Sequence, residues 1–131
     1  MSDAPLDPGS ALAELRVTPD RWVTARYAGA SGDFNPIHLD DEFARSVGLP
    51  GRILHGLYTM ALVARAAAEA AGGPEHLRRL SLQFRGAAVP EEEITVTGTV
   101  AARDGRHVTL TLSAHQLGRA IVRGATAELE L

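Results

Sequence analysis

The 131-residue sequence contains no cysteine, which excludes a disulfide framework, a thiolate metal site and a cysteine nucleophile. It contains no lysine either, since all 13 basic residues are arginine, and this removes a Schiff-base lysine and a P-loop from consideration. Basic residues never form a run and the formal net charge is −3, so the electrostatic footprint of a nucleic-acid binder is missing. No apolar stretch is long and uninterrupted enough to span a bilayer. The opening MSDAPLDPGS has neither the basic start nor the apolar run of a signal peptide. What remains is the composition of one average globular domain, 45% hydrophobic and 22% charged, expected in the cytoplasm, with residues 1–10 a loose N-terminal segment and 11–131 a single domain.

Periodicity predicts an α+β chain. Thr18-Pro19 is an N-cap and first-turn signature for a helix from Pro19 to about Ala28, ending near Gly29. Asp40 or Asp41 suits the cap of a second short helix over Glu42 to Val47, stopped by Gly48 and Pro50. Between them Ser31 to His38 has no period and contains Asn35-Pro36, so a loop is expected. Leu57 to Ala71, rich in Ala and Leu and closed by Gly72-Gly73-Pro74, predicts the longest helix, apolar around nearly its whole circumference and therefore surrounded by other elements. Alternation then predicts strands at Leu80–Phe84, Ile94–Val100, Val108–Leu112 and about Arg119–Leu129, with a hairpin at Asp104-Gly105 and an early strand near Leu12–Val17. Five antiparallel strands and one long helix suggest a sheet wrapped around that helix.

The chemistry-bearing residues concentrate before the long helix. Asp33 and His38, five positions apart in a loop stiffened by Pro36, suit convergence on one water for acid/base work, with Asn35 in support. The same residues also suit plain turns, Asp33 and Asn35 bonding nearby amides, so spacing alone leaves both readings open. His55-Gly56 stands where the helix begins, and a helix start presents free N–H groups to a carbonyl, as in an oxyanion hole; a packing role for His55 is the plainer alternative. Asp33 or Asp40 with His38 and His55 is the best available metal set, but no regular ligand spacing supports it, and no metal is assigned. Ser31 lacks a nucleophile elbow.

Taken together, Tyr27-Ala-Gly-Ala-Ser31-Gly-Asp33-Phe-Asn35-Pro-Ile-His38, Gly48-Leu-Pro50 and His55-Gly56 resemble the MaoC-like (R)-specific enoyl hydratase and dehydratase family, whose hydratase motif reads S-G-D-x-N-P-x-H with a later H-G. The resemblance covers about Val17 to Leu131. It implies a hot-dog fold, an antiparallel sheet around one central helix. It further implies that Asp33 and His38 handle the water, with Ser31 and Asn35 supporting them, and that Gly56 beside His55 polarises a thioester carbonyl. The implied reaction is hydration of a trans-2-enoyl thioester, or the reverse dehydration of the (R)-3-hydroxyacyl thioester, without a cofactor. The implied carriers are coenzyme A or an acyl carrier protein. Implied partners are a second copy or a related hot-dog subunit. Leu39 and Leu57 depart from residues frequent in relatives and leave acyl length open. A hot-dog thioesterase and a non-catalytic tunnel-shaping subunit are the alternatives. Arg78, Arg79 and Arg85, along one strand of an acidic chain, are candidates for steering an acidic carrier protein.

Overall fold

The computed structural model describes residues 5–131. Five antiparallel strands form one sheet in the order β1-β3-β4-β5-β2, where β1 is Leu15–Val17, β2 Leu77–Phe84, β3 Ile94–Asp104, β4 His107–Gln116 and β5 Arg119–Glu130. Two tight turns set the register of the three long strands. Gly105, with φ 61°, makes the first, pairing Asp104 with His107. Leu117 and Gly118, with φ 53° and 73°, make the second. Both central residues of the second turn sit in the left-handed region, whose twist matches that of flanking strands.

The helix α3, Gly56–Ala71, lies across the concave face and buries Leu62, Val63, Ala66 and Ala67. These meet the inward residues of the sheet, among them Val96, Val100, Leu110, Leu112, Ala127 and Leu129, all at most 1% exposed. Gly72 in the left-handed conformation ends the helix. This is the hot-dog arrangement of a sheet curved around a central helix. Only one face of α3 is covered, however, whereas its apolar circumference predicted enclosure on all sides. Ala61 and Arg65 are exposed and Ala64 and Ala68 half-buried.

The remaining helices precede α3. The first, α1, spans Val23–Ser31 and not Pro19–Ala28. Asp20 accounts for the late start, because its carboxylate takes the Trp22 N–H at 2.8 Å; Gly32, with φ 79°, and not Gly29, ends the helix. The predicted loop contains one 3₁₀ turn, Pro36–His38, capped by the Asn35 side chain. The next helix, α2, spans Asp41–Ser46, and Asp40 caps it by accepting from Glu42 and Phe43 N–H. The early strand is shorter than expected, with only a bridge from Ala11 to Thr99 before it.

In the segment expected to be loose, residues 1–4 lie outside the described residues. The rest is attached to the sheet: Leu6 is buried in the core, and Gly9 N–H and Ser10 O bond the two sides of Val100. Phe84, expected to share an inward face with Leu80 and Leu82, is 49% exposed. Among the described residues no helix is long and apolar enough to cross a membrane.

Candidate active site

Asp33, His38, His55 and Gly56 come together where α3 begins. Asp33 divides its carboxylate between two tasks. Oδ1 accepts the Asn35 N–H at 3.2 Å, the turn bond anticipated for an Asx residue. Oδ2 faces His38 Nε2 at 3.6 Å. Turn-forming and chemical readings, alternatives in the sequence, therefore hold at once on different oxygens. The carboxylate is half-exposed, and Ser31 Oγ accepts the Asp33 N–H at 3.1 Å, fixing the chain just before it.

His38 is buried, 7% exposed, and its Nδ1 lies 2.9 Å from Ile53 O. A carbonyl oxygen only accepts, so Nδ1 carries the hydrogen, and the neutral ring keeps its lone pair on Nε2. His55, 3% exposed, directs Nε2 to the Asp33 carbonyl oxygen at 3.0 Å. The two imidazoles stack with centroids 3.8 Å apart, and Tyr27 leans on His55 at 4.7 Å. Each ring is thus fixed by one main-chain carbonyl and by its neighbours.

The 3.6 Å gap between Asp33 Oδ2 and His38 Nε2 exceeds a hydrogen bond but lets both reach one oxygen atom. This is the geometry of an acid/base pair around a shared water or hydroxyl. Beside it, His55 O accepts from Tyr58 and Thr59 N–H, and the preceding amides of the first turn, Gly56 and Leu57, have no intrahelical acceptor. The helix start therefore offers donors and a partial positive charge next to the pair. A Cβ built on Gly56 would stand 3.2 Å from Phe84 Cζ, so an aromatic ring of the edge strand stands beside this exposed glycine. Phe34, next to Asp33 in the chain, and Leu57, next to Gly56, are both about 60% exposed.

Asn35 supports the site only through the backbone, accepting Ile37 N–H at 3.2 Å. Of the residues weighed for a metal, Asp33, His38 and His55 each bring a ligand atom within 4.8 Å of the others, while Asp40 is occupied as the α2 cap. One nitrogen of each ring is already engaged with a carbonyl. His38 Nε2 and Asp33 Oδ2, which face each other, suit proton transfer.

Arg79 and Arg85 line adjoining cavities on the outer face of β2 and β5. Arg79, Ser81, Thr126 and Glu128 surround about 270 Å³, and Ser81, Gln83, Arg85 and Arg123 with their neighbours about 390 Å³. Arg123, paired with Gln83 across the strands, went unnoticed in the sequence. Arg78 lines neither cavity and sits where the β2–β5 register shifts. A concavity of about 520 Å³ lies at the far end of α3 between Ala64, Ala68, Pro74 and Leu77, away from every candidate catalytic residue.

The sequence reading also missed the groups that orient the rings. Ile53 acts through its carbonyl, which leaves no trace in residue type. Gln116, buried and bonded to Val89 N, Val89 O and Glu92 O, anchors the segment whose Ala88 O accepts Leu54 N–H. Only its position in an alternating strand, where a polar residue falls on the inward side, hints at this.

Residues 8–116 match the family model described as a MaoC like domain. Fatty acid synthase subunit beta of Aspergillus oryzae is 39% identical over 97 residues, 72% of this chain, but the match spans 5% of that protein's length. Among solved structures, the (R)-hydratase from A. caviae involved in PHA biosynthesis superposes with a TM-score of 0.83 at 27% identity, covering 94% of this chain and 96% of that one. One chain of the ChsH1-ChsH2 complex from Mycobacterium tuberculosis does so with a TM-score of 0.85 at 25% identity, covering 95% and 98%.

Proposed function

This chain belongs to the MaoC-like domain family, and from that premise we propose that it is a hydro-lyase acting on acyl thioesters. It adds water to a trans-2-enoyl thioester to give the (R)-3-hydroxyacyl thioester, or runs the reverse dehydration. The observation that carries this reading is the bare approach of Asp33 Oδ2 and His38 Nε2, 3.6 Å apart, beside the first turn of α3. Fold and full-length likeness to an (R)-hydratase support it.

The chemistry follows from the placement. A water oxygen within reach of both groups attacks the β-carbon. The Asp33–His38 pair removes one proton from that water and delivers one to the α-carbon, so that O–H and C–H are added from the side on which both groups stand. As the α-carbon gains electron density, negative charge builds on the thioester oxygen. The Gly56 amide donates to it there, and that contact strengthens towards the transition state. Main-chain bonds to both rings hold the constellation before substrate arrives.

The partner is a second hot-dog subunit, identical or related. Among the described residues β2 is a long edge strand with no neighbour on its outer side, whereas the other edge, β1, has three residues. The uncovered face of α3 adjoins it through Leu77, and an open edge beside an apolar face is what pairing covers. The likeness to a chain of a two-component complex supports the same reading. Coenzyme A or an acyl carrier protein bears the acyl group. For an acidic carrier protein, Arg79, Arg85 and the newly placed Arg123 are the docking residues.

The test is incubation of the purified chain with crotonyl-CoA, following loss of the conjugated enoyl absorbance and release of free thiol in parallel. Absorbance loss without thiol is the expected result. Thiol release would make the chain a thioesterase, and inertness of the assembled protein would make it a non-catalytic subunit.

A further inference from the structure

The acid/base imidazole depends on a carbonyl supplied from another segment, and that segment is clamped by a pair with no contact to the site. Asp41, the first residue of α2, accepts the main-chain N–H of Arg52 on Oδ1 at 2.8 Å and the Arg52 guanidinium Nη1 on Oδ2 at 2.8 Å. The other arm, Nη2, donates to Arg21 O at 2.9 Å. The guanidinium is largely buried, and a Cβ on Gly51 would stand 3.2 Å from Asp41 Oδ1, so the carboxylate is seated against this backbone. Bonds of this kind, with both partners charged and one side chain gripping both main chain and side chain, fix position as well as attract.

The next residue carries the consequence. Ile53 N–H donates to Ile37 O at 3.0 Å, and Ile53 O accepts from His38 Nδ1 at 2.9 Å. Three consecutive links, at Arg52 N, Ile53 N and Ile53 O, therefore bind residues 52–53 to the stretch from Ile37 to Asp41. If the Arg52 end is released, only the flanking main-chain bonds, Ile53 N–H to Ile37 O and Leu54 N–H to Ala88 O, still hold the Ile53 carbonyl, and its distance from the ring is less tightly set. The hydrogen is then free to move to Nε2, where it would meet Asp33 as a donor and could not accept a proton.

We propose that Asp41 and Arg52 form a positioning pair, which holds the Ile53 carbonyl on His38 Nδ1 and so keeps Nε2 bare and aimed at Asp33. This rests on the acid/base reading of His38. The hydrogen bond from the Arg52 main chain and the neighbouring guanidinium lower the Asp41 carboxyl pKa. The clamp is thus intact above the ordinary carboxylate range and is lost only as acidification passes that lowered value.

The experiment compares wild type, Asp41→Asn and Asp41→Ala in the full assembled protein, with Arg52→Lys as a milder variant should Asp41→Ala fail to fold. Turnover and half-saturation are measured on crotonyl-CoA, and ¹⁵N shifts of the His38 ring are recorded. Asp41→Ala is expected to lower turnover about tenfold or more with little change in half-saturation, since misplacement of a group by about 1 Å costs up to about 10². Its His38 shifts should move from Nδ1-protonated towards Nε2-protonated or averaged values, with Asp41→Asn and Arg52→Lys intermediate. Folded variants with wild-type His38 shifts would overturn the proposal, whatever their activity. Should wild type leave crotonyl-CoA unchanged while the shifts still move in Asp41→Ala, the reaction assignment falls and the positioning role stands.

Discussion

The two ends of α3, Gly56-Leu57-Tyr58-Thr59 at the start and Ala68-Glu69-Ala70-Ala71 at the finish, do opposite things. At its C-terminal end the helix is closed: Gly72 and Gly73 turn back and donate to Glu69 O and Ala68 O, and the surroundings are alanine, proline and leucine. At its N-terminal end the first amides are left without helical acceptors, two buried imidazoles stand beside them, and a carboxylate approaches from the preceding turn. The open end has unspent donors and a positive dipole, so chemistry on a developing anion belongs there. The capped end has neither and offers only surface to bury. The concavity of about 520 Å³ lies at one end of the helix and the open polar valence at the other.

Substitution separates the ends. The largest effect is expected at the open one: Asp33→Asn and His38→Gln should each lower turnover by about 10² or more, the scale of general acid/base groups. Asp33→Asn keeps an oxygen for the Asn35 N–H, so its melting temperature should stay near that of wild type. An Asp33→Asn enzyme of full activity on crotonyl-CoA would dissolve the contrast. Next come the glycines at the two ends of the helix, Gly56 in its first position and Gly72 at its C-cap. Gly56→Val should lower turnover about tenfold or more, and affect half-saturation less, because the side chain meets the Phe84 ring where the thioester oxygen must approach. Gly72→Ala, with open space but φ 88°, should cost about 1 kcal/mol of stability in a denaturant melt and leave turnover unchanged.

Smaller effects sharpen the same contrast. Ala68→Glu adds a charge to the uncovered face and should shift the proposed dimer towards monomer in light scattering at micromolar concentration. An unchanged dimer would move the interface elsewhere. The smallest effect is expected on the outer sheet face. Arg85→Glu with Arg123→Glu should slow reaction with an acyl carrier protein substrate severalfold at low salt, converge with wild type at high salt, and leave the coenzyme A substrate unaffected. Equal rates on both substrates would remove these arginines from carrier recognition.

Much of this architecture is legible in the chain. The strands from Ile94 onward alternate cleanly because one face is buried, and the first hairpin announces itself through Asp104-Gly105, whereas the second, at Leu117-Gly118, puts a leucine in the left-handed region and carries no such signal. Asp33, His38, His55 and Gly56 are legible as residue types in a motif. The start of α1 is not, because Thr18-Pro19 carries the usual signature while the bond that governs is Asp20 to Trp22 N–H. Nor is the open face of α3, since alanine suits a buried helix face and a face awaiting a partner equally well. The clamp of Asp41 and Arg52 joins charges 11 residues apart that read as ordinary surface in sequence.

Both imidazoles take their orientation from peptide oxygens, those of Ile53 and Asp33, and this makes the site vulnerable in an uneven way. Position 53 can change its side chain without withdrawing the oxygen that His38 needs, so point substitution there is mild. A single inserted or deleted residue between His38 and His55 is not, because it slides one carbonyl out of place and substitutes another pointing elsewhere. Drift among descendants of this chain should therefore run freely through the side chains of that stretch other than Asp40, Asp41 and Arg52, while its length stays fixed.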